Sequence, residues 1–145
     1  MRILKTVEGS VLWLYEDNET AATNLRHEAE KRGVDSSRLV FAKHSPLADH
    51  LARHHSANLF LDTFPCNAHT TASDALWAGL PVLTLMGQSF PSRVAASLLT
   101  AIGLPELITT TSQEYEALAI ELAKNPEKLA ALKEKLAKNR LTTPL

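Results

Sequence analysis

The residues best placed to do chemistry lie in the segment 65–74, which reads PCNAHTTASD. This segment follows an apolar run at 58–63 that is typical of a buried strand, and it precedes a short helical segment that ends at Gly79. A strand, a turn and a helix that begins with hydroxyl residues together form a common anion site. The free backbone N–H groups and the positive end of the helix dipole both attract phosphate. The first hypothesis is therefore that Thr70 and Thr71 contact a phosphorylated ligand.

Three side chains beside these threonines each have two interpretations. His69 precedes the helix and could donate a hydrogen bond to a phosphate or sugar oxygen, or it could serve only as a capping or turn residue. Asp74 lies one turn after Thr70 on the same face, where a carboxylate could accept hydrogen bonds from two ribose hydroxyls or compensate the helix dipole. Cys66 could act as a thiol nucleophile at the helix N-terminus. A small packing residue is the simpler interpretation of this cysteine, since no base partner is evident in the sequence.

A second group of candidate residues lies in the segment 43–53. His50 and Arg53 are one helical turn apart, so both could face the same crevice. A histidine ring can stack on a nucleobase and an arginine can bind a carbonyl edge, whereas the alternative is a solvated amphipathic helix. No carboxylate or third ligand near His54 and His55 has the spacing of a metal site.

The elements that must position these residues alternate between strands and helices. Apolar runs predict strands at 11–15, 39–42, 58–62, 81–85 and 107–110, and helical patterns separate them. A capping box at 111–114 and an Asn-Pro step at 125–126 predict the starts of the last two helices. Strands that are apolar on both faces indicate an α/β fold with a parallel sheet and helices on both sides. Trp13 and Trp77 fall inside apolar runs and are predicted to lie in the core. Ligands of such folds bind beyond the carboxyl ends of the strands, where both candidate groups fall.

Composition limits the classes of function. The chain has 145 residues, of which 45% are hydrophobic and 21% charged, as expected for one globular domain. A net charge of -1 gives no support for general nucleic-acid or anionic-membrane binding. One cysteine excludes a disulfide framework, and the N-terminus lacks a signal-peptide core, so the cytoplasm is the expected location.

With these motifs in view, the chain resembles the O-GlcNAc transferases, in the form of a bacterial-type homologue. The resemblance runs almost from end to end, and the blocks around Cys66 and Ser92 are the specific ones. The matching segments are 10–14, 38–41, 61–63, 66–71 with Asp74, 76–82, 92–99 and 113–115.

The resemblance implies a GT-B glycosyltransferase, in which two Rossmann-like domains face a cleft. Residues 1–145 would form one partial domain, the nucleotide-sugar-binding half, without its first strand. The donor would be UDP-N-acetylglucosamine, the acceptor a serine or threonine hydroxyl of a protein, and the reaction an inverting transfer that needs no metal or other cofactor.

The resemblance also implies a role for each candidate residue. Thr70 and Thr71 would hold the diphosphate, with His69 beside it, and Asp74 would bind the ribose. The residues expected at uracil are His50, Arg53 and a backbone group of Ser45, and Cys66 would lie near the sugar.

The chain also departs from the family pattern. By comparison with that pattern the chain would lack a lysine near the phosphates, the N-terminal catalytic half, the helical repeats and the closing helix. Leu47 stands where some relatives have a ribose-binding lysine. We therefore expect the isolated chain to bind the donor weakly and to catalyse no transfer. Its expected partners are the nucleotide sugar, the missing regions and a protein acceptor. A missing central strand should leave a gap in the sheet, or two strands that must pair anew. Unpaired edges invite association, so we expect a rearranged register or a strand-exchanging homodimer. The alternatives are a non-catalytic UDP-binding or interaction module and a non-binding remnant.

Overall fold

The computed structural model describes residues 1–143 and has an α/β fold built from short parallel strands and helices. The helices are α1 (Arg2–Thr6), α2 (Glu19–Lys31), α3 (Leu47–Arg53), α4 (Thr70–Trp77), α5 (Val94–Ala101), α6 (Ser112–Lys124) and α7 (Pro126–Asn139). The strands are β1 (Leu12–Tyr15), β2 (Leu39–Ala42), β3 (Phe60–Leu61), β4 (Val82–Leu85) and β5 (Ile108–Thr109). The last two residues of the predicted 1–145 domain lie outside the described residues. No helix within the described part of the chain is both long and apolar enough to cross a bilayer.

The described strands form two parallel sheets, one of order β1-β2 and one of order β3-β4-β5. This confirms the predicted α/β class with parallel strands. The sequence left two outcomes for the strands, a gap in the sheet or strands that pair anew. The described strands form two separate sheets and have no new pairing. The predicted homodimer stays a prediction.

The chain divides into two compact units, Met1–Leu47 and the part from Ala48 onward. In the first unit, Leu4, Ala29, Val34 and Leu39 form a small buried core. The side chains of β1 alternate between half-buried and exposed, so the prediction that this strand is buried on both faces is wrong. Trp13 is 38% exposed because the period of two in a strand places it opposite Leu12 and Leu14.

The second unit has the larger core, in which α4, α5, α6 and α7 contribute leucines beside the fully buried Val82 of β4. Ala75 and Leu76 of α4 are fully buried, whereas Trp77 at the end of the same helix is 58% exposed. The predicted core position of Trp77 is therefore wrong. The Trp77 carbonyl accepts a hydrogen bond of 2.7 Å from Arg140 Nη1 in the segment that follows α7.

Local signals in the sequence set most of the helix ends. Thr111 and Glu114 form the predicted capping box of α6, and the Asn125 side chain caps α7 by accepting from Lys128 N at 3.0 Å. The third and fifth strands have only two residues each and are shorter than the predicted runs 58–62 and 107–110. These differences shorten elements without changing their order.

Candidate functional site

The N-terminus of α4 presents donors that have no acceptor within residues 1–143. His69 is the N-cap residue but its side chain makes no capping hydrogen bond. The N–H groups of Ala72 and Ser73 donate to the His69 carbonyl at 3.1 and 3.2 Å, whereas those of Thr70 and Thr71 have no partner among the described residues. Both threonine side chains are exposed. Two free amides and two hydroxyls at the positive end of a helix dipole are the groups that bind an anion.

The other predicted residues of this segment lie around the same helix end. His69 is exposed, and its ring stands edge-on to Phe90 with 6.1 Å between the ring centroids. Asp74 is half-buried one turn after Thr70, and its carboxylate has no hydrogen-bond partner within residues 1–143. Cys66 is exposed, so interpreting it as a packing residue is wrong, and its thiol lies 3.8 Å from the Asn67 carbonyl.

Asp62, which the sequence did not single out as a site residue, fixes the loop that leads to α4. Its Oδ1 accepts hydrogen bonds from the backbone N–H groups of Thr63 at 2.8 Å and Ala68 at 2.7 Å. Its Oδ2 accepts from Thr84 Oγ1 of β4 at 2.6 Å, and its backbone carbonyl accepts from the Tyr115 hydroxyl of α6 at 2.8 Å. Burial, and secondly the charge of Asp62, raise the pKa of Tyr115, so the tyrosine stays a neutral donor. The only local signal for Asp62 was a carboxylate at the end of an apolar run.

Asn67 provides a second anchor for the same loop. Its Nδ2 donates to the carbonyl of Thr63 at 2.8 Å and to that of Leu85 at 3.4 Å, and its backbone N–H donates to the Pro91 carbonyl at 2.8 Å. Thr63 Oγ1 in turn donates to the Cys66 carbonyl at 2.8 Å. The buried Oδ1 of Asn67 has no hydrogen-bond partner among the described residues. The loop is thus held by both of its ends and by its middle.

His50 and Arg53 form a second group, on α3. Arg53 Nη2 lies 2.5 Å from His50 Nδ1, and a guanidinium can only donate, so Nδ1 is the acceptor and Nε2 carries the proton of the neutral ring. The ring of His54 stands at 90° to that of His50, and His54 Nδ1 lies 2.7 Å from the His50 carbonyl. These contacts with Arg53 and His54 hold the His50 ring in one orientation.

The remaining predicted position, Ser45, lies in the loop between β2 and α3 and belongs to the first unit. Its buried Oγ has no hydrogen-bond partner within residues 1–143. Leu47 is 65% exposed and supplies no charge where a ribose-binding lysine was considered. In the described part of the chain, no cluster of three His, Cys, Asp or Glu side chains could hold a metal ion.

A pocket elsewhere in the second unit does not fit the same chemistry. It lies against β5 and α6, and its polar lining includes the carboxylates of Glu114 and Glu121. Glu114 accepts hydrogen bonds in the capping box, and Glu121 forms an ion pair of 2.6 Å with Lys128. Because its charged groups are negative and already partnered, the N-terminus of α4 is the better anion site.

Comparison with known proteins identifies the family to which this chain belongs. The whole chain, residues 1–145, matches the model of glycosyl transferase family 41. It is 38% identical over 145 residues to the UDP-N-acetylglucosamine--peptide N-acetylglucosaminyltransferase of Caenorhabditis elegans, an alignment that covers 100% of this chain and 13% of that protein. It is 40% identical over 144 residues to the probable UDP-N-acetylglucosamine--peptide N-acetylglucosaminyltransferase SEC of Arabidopsis thaliana, covering 99% of this chain and 15% of that protein.

A solved structure gives the same result for the fold. A mutant of the O-GlcNAc transferase from Thermobaculum terrenum superimposes with a TM-score of 0.93 at 33% sequence identity, covering 97% of this chain and 28% of that one. The chain therefore spans less than a third of the length of each of these three proteins. The agreement of family model, sequence relatives and fold confirms the resemblance predicted from the motifs around Cys66 and Ser92, and the chain belongs to glycosyl transferase family 41.

Proposed function

We propose that this chain binds the donor UDP-N-acetylglucosamine for transfer of N-acetylglucosamine to serine or threonine hydroxyls of proteins. The observation that carries the proposal is the N-terminus of α4, where the N–H groups of Thr70 and Thr71 lack acceptors within residues 1–143. A diphosphate satisfies these donors and is stabilised by the helix dipole. The names of the Caenorhabditis elegans and Arabidopsis thaliana relatives support the choice of sugar and of a peptide acceptor.

The remaining residues fit the other parts of this donor. The half-buried carboxylate of Asp74, which has no partner among the described residues, offers two acceptor oxygens to the ribose hydroxyls. The uracil ring is assigned to His50, which can stack on a base, and to Arg53, which can bind a carbonyl edge. Cys66 lies in the loop before Thr70 and would face the sugar, and His69 would lie beside the diphosphate.

The proposed chemistry is an inverting transfer without a metal ion. When the bond between the sugar and the diphosphate breaks, negative charge develops on the leaving phosphate. Preorganised N–H and hydroxyl donors at Thr70 and Thr71 stabilise that charge without the need for a cation. The acceptor hydroxyl must also be positioned, which we assign to regions of a longer protein. We therefore expect the 145-residue chain alone to bind the donor weakly and to release no UDP from it.

Isothermal titration of the chain with UDP tests the binding. We expect Thr71→Ala and Asp74→Ala each to weaken UDP binding by about tenfold or more, because each removes hydrogen bonds in which one partner is charged. Thr20→Ala is a matched control, since Thr20 also occupies the second position of a helix, α2, whose N-terminus is capped by Asn18. Equal binding heats for the wild type and both site variants would contradict the proposal.

A further inference from the structure

The loop from Thr63 to Ala68 connects β3 to the residues that open α4, and backbone N–H groups at both of its ends donate to the side chain of Asp62. Asp62 Oδ1 accepts from the N–H of Thr63 at 2.8 Å, directly after the strand, and from the N–H of Ala68 at 2.7 Å, two residues before Thr70. One oxygen atom thus closes the loop between the strand and the helix start. The path of the chain into the free amides of α4 depends on this closure.

Asp62 is itself held by two other elements. Its Oδ2 accepts from the Thr84 hydroxyl of β4 at 2.6 Å, and its backbone carbonyl accepts from the Tyr115 hydroxyl of α6 at 2.8 Å. The Thr84 side chain is fully buried and Asp62 is 5% exposed, so the carboxylate cannot turn toward solvent without leaving its donors unpaired.

The charge of Asp62 has no evident use at an anion site. Within residues 1–143 no lysine, arginine or histidine forms an ion pair with its carboxylate. A negative charge near the start of α4 opposes the binding of a phosphate, so any benefit must come from hydrogen-bond geometry.

We infer that Asp62 is a positioning residue for the anion site, which orients the Thr70 and Thr71 donors through the two amides it accepts rather than through its charge. The inference rests on the proposed function, because it assigns a role to Asp62 in the same site. Asp62→Asn separates the two contributions: the amide oxygen still accepts from both N–H groups, its nitrogen can donate to the Thr84 hydroxyl, and the charge is lost. Asp62→Ala removes the closure altogether.

Two measurements on the wild-type chain and its variants test the inference. The first is UDP affinity by titration calorimetry at a temperature where every variant is folded. We expect Asp62→Ala to weaken binding by about tenfold, since it leaves two amides unpaired and the loop open, and Asp62→Asn to stay within about threefold of the wild type. The control is Leu136→Ala. Leu136 is a fully buried core residue of α7, so its truncation lowers the stability of the fold without changing a residue of the loop. It should leave the affinity unchanged.

The second measurement does not depend on UDP. In two-dimensional ¹H–¹⁵N correlation NMR spectra, Asp62→Ala should shift the backbone amide resonances of Thr70 and Thr71, whereas Leu136→Ala should not shift them. If the wild type fails to bind UDP, the proposed function fails, and the amide shifts still decide the role of Asp62. If Asp62→Ala does not fold, Thr84→Val replaces it, because it removes the Oδ2 donor at nearly constant volume, and it is expected to move the same two amides.

The inference is overturned by either of two results. Unchanged amide resonances of Thr70 and Thr71 in Asp62→Ala, or in Thr84→Val where that variant replaces it, would show that Asp62 does not position them. A loss of affinity in Asp62→Asn as large as that in Asp62→Ala would show that the charge is required.

Discussion

Tyr115 shows how one distant side chain supports the loop beside the candidate site. Its hydroxyl donates to the Asp62 carbonyl from α6, and burial followed by the nearby Asp62 charge raises its pKa. A group whose folded-state pKa lies above its unfolded value stabilises the fold fully below the unfolded value, ordinarily about 10, and this contribution falls as the pH rises further. Ionisation of Tyr115 is therefore expected to lower the free energy of unfolding at alkaline pH.

We expect Tyr115→Phe to lower the free energy of unfolding by about 1 kcal/mol at neutral pH, because the Asp62 carbonyl loses its donor while the ring packing is kept. The same variant should show a weaker loss of stability above pH of about 10 than the wild type does. Urea unfolding between neutral and alkaline pH measures both effects. An equally steep alkaline decline in the two proteins would count against this assignment.

At the scale of elements, α4 and α6 begin in opposite ways. The first turn of α6 is closed by side chains, with Thr111 Oγ1 accepting from Glu114 N at 3.1 Å and Glu114 Oε2 accepting from Thr110 N and Thr111 N at 2.9 and 3.1 Å. The first turn of α4 has no side-chain cap. The first N–H groups of α6 are thus already satisfied by its own side chains, whereas those of Thr70 and Thr71 in α4 can be satisfied by a ligand.

The capping box of α6 predicts a specific dependence on acid. The backbone N–H of Thr110 first, and then the hydroxyl of Thr110 and the N–H of Thr111, lower the pKa of Glu114 below its ordinary 4.5. Its stabilising contribution is therefore complete above that value and is lost as the pH falls toward the lower folded-state pKa. Glu114→Gln should flatten the acid side of the stability curve in that window, as followed by circular dichroism during acid titration. Glu127 of α7 is exposed and its carboxylate has no hydrogen bond or ion pair with another residue of 1–143, so Glu127→Gln is a control that should leave the curve unchanged.

At the scale of the whole molecule, the two units differ in the size of their cores. The first has a two-stranded sheet over four buried residues, whereas the second has a three-stranded sheet with a core of eleven buried residues. A two-stranded sheet is only marginally stable, so the units should open with different free energies. We expect backbone amides of the central strand β4 to exchange with deuterium at least about tenfold more slowly than those of β1 and β2. Hydrogen exchange followed by NMR checks this, and equal protection in both sheets would contradict it.

The sequence predicted the local features of the chain and missed the features that depend on distant contacts. The order of elements, the capping box at Thr111, the cap at Asn125 and the open start of α4 all arise from residues a few positions apart, so their signals are visible in the sequence. Asp62 was missed as a site residue because two of its partners, Thr84 and Tyr115, lie 22 and 53 positions away.

The wrong burial predictions have a related cause. The apolar character of Trp13 and Trp77 pointed to the core, but burial depends on which face of the strand or helix is covered. That information lies in the packing of other elements. The site roles assigned to His69, Thr70, Thr71 and Asp74 stay predictions, although the structure places all four on one helix end.

The closed loop before α4 also has a calorimetric consequence. Because Asp62 and Asn67 already hold residues 63–68, a ligand that enters would order few further side chains or backbone groups. The conformational entropy of this loop is then lost when the chain folds, and little more is lost when a ligand binds. The heat-capacity change of binding should accordingly reflect only the apolar surface that the ligand itself covers, and it should be small for a ligand as polar as a nucleoside diphosphate.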